Sequence, residues 1–247
     1  MFQSIRAAVW QTVTTLVPVD ERTGGRGGSQ RIPRPPSFRP GPPPPWAALP
    51  AGDLRFSLAD VRARLAALPP AADPVARVEG ARASAVLVPL FERAGEAHVV
   101  LIKRPETMPS HRGEIAFPGG KFEPGVDADL RATALREADE EIGLAPGAVE
   151  LVAALDGIST VASRFTIAPF VGVLDVLPPL APHPGEVERV LEVPLSELFA
   201  SEVYREERWD TWKDDLDVHF YELEDETVWG ATARILTGLL RHLVADR

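Results

Sequence analysis

The chain has 247 residues, 45% of them hydrophobic and 25% charged, with a formal net charge of −10 and no cysteine. That length buries one substantial core, and the missing cysteines exclude a disulfide framework, a Cys-ligated zinc and a thiol nucleophile. The acid excess excludes broad nucleic-acid binding, because no cationic surplus exists to displace counterions from a phosphate backbone. Charge is unevenly spread: residues 1–50 hold six arginines against Asp20 and Glu21, a net +4 that leaves −14 for the rest. An enzyme of that sign acting on an anion needs divalent cations and a few local basic side chains.

In chain order, Phe2, Ile5, Val9, Val13 and Leu16 recur at helical steps and form an apolar stripe, which predicts a helix docked on the domain or left disordered. Only Arg6 lies beside the stripe and no run approaches the length of a membrane span, so no stable membrane association is expected. Gln11, Thr12, Thr14 and Thr15 break the segment unlike a secretory signal, which points to the cytoplasm. Residues 20–50, with Gly24-Gly25, Gly27-Gly28 and Gly41-Pro42-Pro43-Pro44-Pro45, read as a linker with disorder or polyproline conformation. The division expected is residues 1–52 as a largely disordered N-terminal segment and 53–247 as the globular domain.

Ser57 followed by Asp60, Leu58, Val61, Leu65 and Leu68 predicts a capped helix ended by Pro69-Pro70. Strands are predicted over 85–91 and 98–102 around a turn at 93–96, then over 149–155, 165–174, 187–193 and 218–223. A closing helix is predicted over 229–244. Strands surrounding two or three helices imply an α+β fold, an α/β/α sandwich with a mixed sheet. The five histidines lack the i, i+4 pairing of a zinc helix, and Trp209, Trp212, Phe220 and Tyr221 read as core rather than a base-stacking platform.

The chemistry concentrates in 117–144, FPGGKFEPGVDADLRATALREADEEIGL. From Thr133 the residues favour helix, and Gly143 suits the αL position that ends one. Glu137, Glu140 and Glu141, spaced i, i+3 and i+4, fall on one face, while Leu135, Ala138 and Ile142 form another that packs on a sheet. Three carboxylates on one face repel; Mg²⁺ or Mn²⁺ relieves this, since hard cations prefer carboxylate oxygen and bridge to phosphate oxygens.

The run from Arg136 to Leu144 resembles the second half of the Nudix box, Gly-x5-Glu-x7-Arg-Glu-U-x-Glu-Glu-x-Gly-U with U bulky and apolar, and it follows a Gly-Gly turn. The first half departs from that form: neither Val126 nor Ala128 supplies its Glu, because the loop carries two extra residues. Phe117-Pro118-Gly119-Gly120, Glu123, Asp127 and Thr133-Ala134-Leu135-Arg136-Glu137 are similar to the coenzyme A diphosphatase subfamily, with Asp127 expected as a helix N-cap. Arg104 and Gly113 match that subfamily's upstream signature, Pro109 stands where its second Arg falls, and His111 and Arg112 lie nearby. The segments 184–187, 193–195 and 228–233 also look like that subfamily, so the resemblance covers about 85–243.

The resemblance implies a Nudix sandwich and a metal-dependent diphosphatase acting on a small nucleotide diphosphate, coenzyme A first, giving 3′,5′-ADP and 4′-phosphopantetheine. The alternatives are another nucleoside diphosphate derivative such as ADP-ribose, or a nucleotide-binding module without turnover. It implies Glu137 and Glu141 as metal ligands and Glu140 as a third ligand or a base. Arg136 orients these carboxylates, and Arg104, Gly120 and Lys121 line the substrate. Glu186, on a loop after Pro184, is a candidate base set against plain surface charge.

Overall fold

The computed structural model describes residues 26–68, 80–160, 165–210 and 215–245. The stripe within residues 1–17, Pro69-Pro70 and Trp212 lie outside them. Strand β2 (Arg82–Arg93) is the spine of the molecule. Its side chains alternate: Ala85, Leu87 and Phe91 enter one apolar cluster and Val88 and Leu90 another, as a strand buried on both faces requires.

β2 pairs antiparallel with β3 (Glu96–Lys103) and parallel with β8 (Phe165–Leu174), so the sheet is mixed. β4 (Ile115–Ala116) and β9 (Arg189–Pro194) extend it beyond β3, and β6 (Glu150–Ala154) and β7 (Ile158–Thr160) pair with β8. The short β5 (Gly119–Lys121) lies against Ser84–Val86 of β2. A second, antiparallel sheet runs β1 (Phe38–Pro40), β10 (Tyr204–Asp210), β11 (Asp215–Glu222), β12 (Thr227–Trp229).

Helix α2 (Leu130–Ile142) covers one face of the mixed sheet through Ala134, Ala138 and Ile142. Helices α1 (Leu58–Leu65), α3 (Leu195–Phe199) and α4 (Gly230–Val244) cover the other, sharing a core with Val88, Leu90, Val99 and Val171. This is the mixed-sheet α+β sandwich expected. The cap predicted at Ser57 is present and forms a full capping box, with Ser57 Oγ accepting from the Asp60 amide and Asp60 accepting from the Ser57 amide.

The sequence misplaces the N-terminal segment. A largely disordered segment is expected through residue 52, with extended polyproline conformation the alternative over 20–50, yet residues 26–52 are docked. β1 pairs with Glu207–Trp209 of β10, and Trp46 is 1% exposed, edge-on to Phe199 and Tyr204. The prolines hold the chain extended over the sheet instead of releasing it, and one tryptophan supplies the burial that composition undervalues. β10, YREERWD, is also absent from the sequence expectations. Its charges hide the strand because they are paired across the sheet, Arg205 to Glu222 at 2.9 Å and Arg34 to Glu207 at 2.6 Å.

Candidate active site

The first two residues of β5, Gly119 and Gly120, bring a backbone with no side chains against α2. Gly119 donates its N–H to Glu141 Oε2 at 3.0 Å. Gly120 lies so close to Glu137 that a Cβ there would stand 2.3 Å from Glu137 Oε1. The Gly-Gly pair is therefore the floor on which two carboxylates of α2 rest.

Helix α2 is fixed in rotation by its apolar side and in length by its ends. Asp129 caps the N-terminus, accepting from the Ala132 amide at 2.9 Å, and Gly143 at φ 68°, ψ 24° ends the helix in the left-handed region. Asp127, expected as the cap, instead takes the Arg136 guanidinium in two bonds, 2.8 Å from Nε and 3.1 Å from NH2, with Thr133 Oγ1 and the Glu123 amide also donating to it. Arg136 holds Asp127 down to about 2, and the same pairing raises the guanidinium.

Arg136 also reaches Glu140 at 2.9 Å, Glu137 at 3.1 Å and the Lys121 carbonyl at 3.2 Å. Its fork thus ties loop, strand and helix together, the orienting position implied by the resemblance. The three acids are not equivalent: side-chain exposure is 3% for Glu141, 14% for Glu137 and 59% for Glu140. Glu140 and Glu141 are successive residues, about 100° apart around the helix, so one edge of the acidic sector faces β5 while the other looks at solvent.

Burial pushes the Glu141 carboxyl up to about 8, against the Gly119 N–H and the charge of Arg104, with Glu137 and Glu186 raising it further. Glu137 is raised too, mainly by burial, with Glu140 and Glu186 adding and Arg136 opposing. Both buried carboxyls thus feel Glu186. That residue sits in a turn closed by its own amide on the His183 carbonyl at 3.0 Å. The same loop clamps the end of α2 through Ala181 N–H to the Ile142 carbonyl and His183 N–H to the Glu141 carbonyl, both 2.8 Å.

Arg104 NH1 lies 3.9 Å from Glu141 Oε1, beyond hydrogen-bond reach, and its Nε is buried without a partner. Lys121 pairs with Ser84 at the edge of β5 and is exposed. Pro109 lies in the loop between Arg104 and β4, where Arg112 donates to the Met108 carbonyl at 2.8 Å and His111 contacts Glu114 at 2.9 Å. Phe220 and Tyr221 are fully buried and Trp209 is 7% exposed, so the aromatics are core, as expected.

Among the described residues, no three His, Asp or Glu side chains stand together as a preformed cation cage. The two carboxyls on the glycine floor nonetheless fit a hard divalent cation. Glu141 is buried, and the Arg104 guanidinium reaches it only at 3.9 Å, too far for a hydrogen bond. Sequence reasoning missed Asp129, Gln30 and Glu226 around this site; only the cap has a sequence signal, Asp followed by a helix-forming run.

The model of the NUDIX domain matches residues 81–215. The chain belongs to the Nudix family. This bears out the resemblance read from the box. Nudix hydrolases generally use divalent cations and act on nucleotide derivatives. Nudix hydrolase 22, chloroplastic, of Arabidopsis thaliana is 40% identical over 161 residues, covering 62% of this chain and 52% of its own. The peroxisomal coenzyme A diphosphatase NUDT7 of Mus musculus is 37% identical over 161 residues, covering 65% of this chain and 67% of its own. An uncharacterized Nudix hydrolase NudL of Photorhabdus laumondii is 33% identical over 162 residues, covering 66% of this chain and 85% of its own. The chain thus spans about half the length of the Arabidopsis relative.

Proposed function

We propose that this Nudix protein is a divalent-cation-dependent diphosphatase that cleaves coenzyme A to 3′,5′-ADP and 4′-phosphopantetheine. The observation that carries the reading is the pair Glu137 and Glu141, seated on Gly119-Gly120 with the Glu141 carboxyl at about 8 beside Arg104. Glu137 and Glu141 would hold Mg²⁺ or Mn²⁺. The cation supplies Lewis acidity toward the diphosphate oxygens when bound.

Arg104 is the residue on this surface suited to a diphosphate oxygen: its Nε has no partner and its NH1 stands off from Glu141. Gly120, lacking a side chain, lets the Glu137 carboxylate sit against the backbone of β5, and exposed Lys121 supplies charge at the rim. Glu186 is suited to take the proton of the attacking water at its carboxylate, since its charge is felt by both ligand carboxyls and the clamp on α2 fixes its turn. Arg136 orients Glu137 and is occupied by Asp127, so it does not contact substrate. Glu140, paired with Arg136 at the rim, completes the charge around the site without holding the cation.

The coenzyme A assignment draws support from the murine relative and from the segments around Arg104 and Gly113. Pro109 in place of the second arginine, together with the lengthened loop before α2, favours a second reading, ADP-ribose or another nucleoside diphosphate derivative. Among the described residues no helix is long and apolar enough to cross a membrane. A cytoplasmic setting belongs to the same proposal and is tested by cell fractionation. Purified protein incubated with Mg²⁺ or Mn²⁺ and, in turn, coenzyme A, ADP-ribose and NADH separates the readings. Cleavage of coenzyme A supports the first, cleavage of ADP-ribose alone supports the second, and no turnover with any of them overturns both.

A further inference from the structure

Gly27 and Gly28 are not spacers. Gly27 donates to the Leu223 carbonyl at 2.6 Å and Gly28 to Thr227 Oγ1 at 3.0 Å. A Cβ on Gly28 would stand 2.5 Å from the Asp225 carbonyl oxygen, so the strap lies flush on the β11–β12 turn. Two residues on, Gln30 is 6% exposed and spends both ends of its amide. Its oxygen accepts from the Thr227 amide at 2.9 Å, and its nitrogen donates to Glu226 and to the Gly113 carbonyl at 3.2 Å.

Those partners lead directly to the proposed substrate surface. Gly113 precedes Glu114, whose carbonyl accepts from the Arg104 amide at 3.0 Å and so closes the loop from Arg104 to β4. Glu226 receives Lys103, the neighbour of Arg104, at 3.0 Å and Arg189 at 2.5 Å. Lys103 in turn reaches Glu188, two residues beyond Glu186, at 3.2 Å. One buried amide thus bonds to the β11–β12 turn and to the Arg104 loop at once, and through Glu226 to the strand that follows Glu186.

We infer that Gln30 is a positioning residue, and that the strap around it sets substrate affinity by holding the Arg104–Glu114 loop in place. This rests on Arg104 being the substrate-binding arginine. Losing a hydrogen bond to the loop while its partner stays buried weakens binding by about tenfold, because a net bond is worth roughly that factor.

The test replaces Gln30 in the full chain by Ala and, to preserve volume, by Met. With Mg²⁺ and whichever of coenzyme A or ADP-ribose the wild type cleaves, both variants are expected to raise KM about tenfold and leave kcat within about twofold. Amide exchange over residues 105–114 is expected to quicken about tenfold while exchange in α2 is unchanged. An unchanged KM together with unchanged loop exchange overturns the inference, as does a fall in kcat that tracks faster exchange throughout the molecule. If the wild type turns over neither compound, the proposed function fails by itself. The exchange measurement then still decides whether Gln30 holds the loop.

Discussion

Adding one methyl group at Gly120 separates the site from the fold. A Cβ there would lie 2.3 Å from Glu137 Oε1 and 2.4 Å from its Cδ, and ordinary contact begins at 3.4 Å. The carboxylate must therefore withdraw by about 1.1 Å, which a flexible glutamate does with little damage to the helix. Misplacing a site group by that distance costs on the order of a hundredfold in rate, or about 2.7 kcal/mol of transition-state stabilisation. Gly120→Ala should thus lose about a hundredfold in kcat/KM with a thermal midpoint within about 2 °C of wild type. Gly119→Ala is the control with the opposite signature. Its Cβ would meet the Ala85 carbonyl oxygen at 2.4 Å and Val86 Cα at 2.7 Å, both backbone, so β5 must shift off β2. That overpacking costs about 1–3 kcal/mol of stability. The assay is cleavage of the nucleotide with Mg²⁺ alongside calorimetric unfolding of each variant. A Gly120→Ala enzyme keeping more than a third of wild-type kcat/KM, or losing activity only in step with its stability, refutes the reasoning.

Glu141→Gln should remove cation-dependent turnover by about a thousandfold and abolish the rise in unfolding temperature that Mg²⁺ gives the wild type, without destabilising the cation-free protein, since a neutral amide suits that burial. Retained Mg²⁺ stabilisation in a calorimeter contradicts its assignment. Glu140→Gln should cost less than about tenfold in kcat, because an exposed ion pair contributes little; a loss as large as that at Glu141 would put Glu140 back among the ligands. Asp127 titrates well below its usual 3.8, so its stabilisation is present above that value and is lost as pH falls toward 2, a contribution of about 2 kcal/mol. In urea melts, Asp127→Asn should flatten the stability change across that window, and an unaltered slope counts against the Arg136 pairing. Trp46→Ala should cost about 3–5 kcal/mol, and truncation to Asp53 at least as much; unchanged melting of the truncated chain would return residues 26–52 to the status of a linker.

What the sequence made legible was set by periodicity. The alternation in β2 and the 3.6-residue repeat in α4 are properties of single segments, and both elements lie where they were expected. The strap was illegible because its stability comes from partners about 200 positions away. Gly28 meets Thr227 and Gln30 meets Glu226, and no local pattern distinguishes such a glycine from one in a flexible chain. β10 was lost for a related reason, since a run of alternating charges reads as surface until the opposing strand supplies Glu222 and Asp217. Within the site, helical spacing put three acids on one sector but not the sheet beneath it, and that sheet buries Glu141 while leaving Glu140 in solvent.

The departure of the loop from the general Nudix box has a physical resolution. Two extra residues before α2 would displace the helix if the added length had to be taken up in the connection itself. It is taken up at the tip instead: Val126 is 64% exposed, and both Val126 and Asp127 return their amides to the Glu123 carbonyl, at 3.1 and 2.9 Å. The loop closes on itself there. Asp127 then leaves the tip on a fixed side chain, 2% exposed and bonded twice to Arg136, which also reaches Glu137, Glu140 and the strand bearing Gly120. The distance from glycine floor to carboxylate is therefore set by Asp127 and Arg136 rather than by the number of residues between Gly120 and Glu137. For that reason the motif's spacing breaks while Glu137 and Glu141 still meet the Gly-Gly turn.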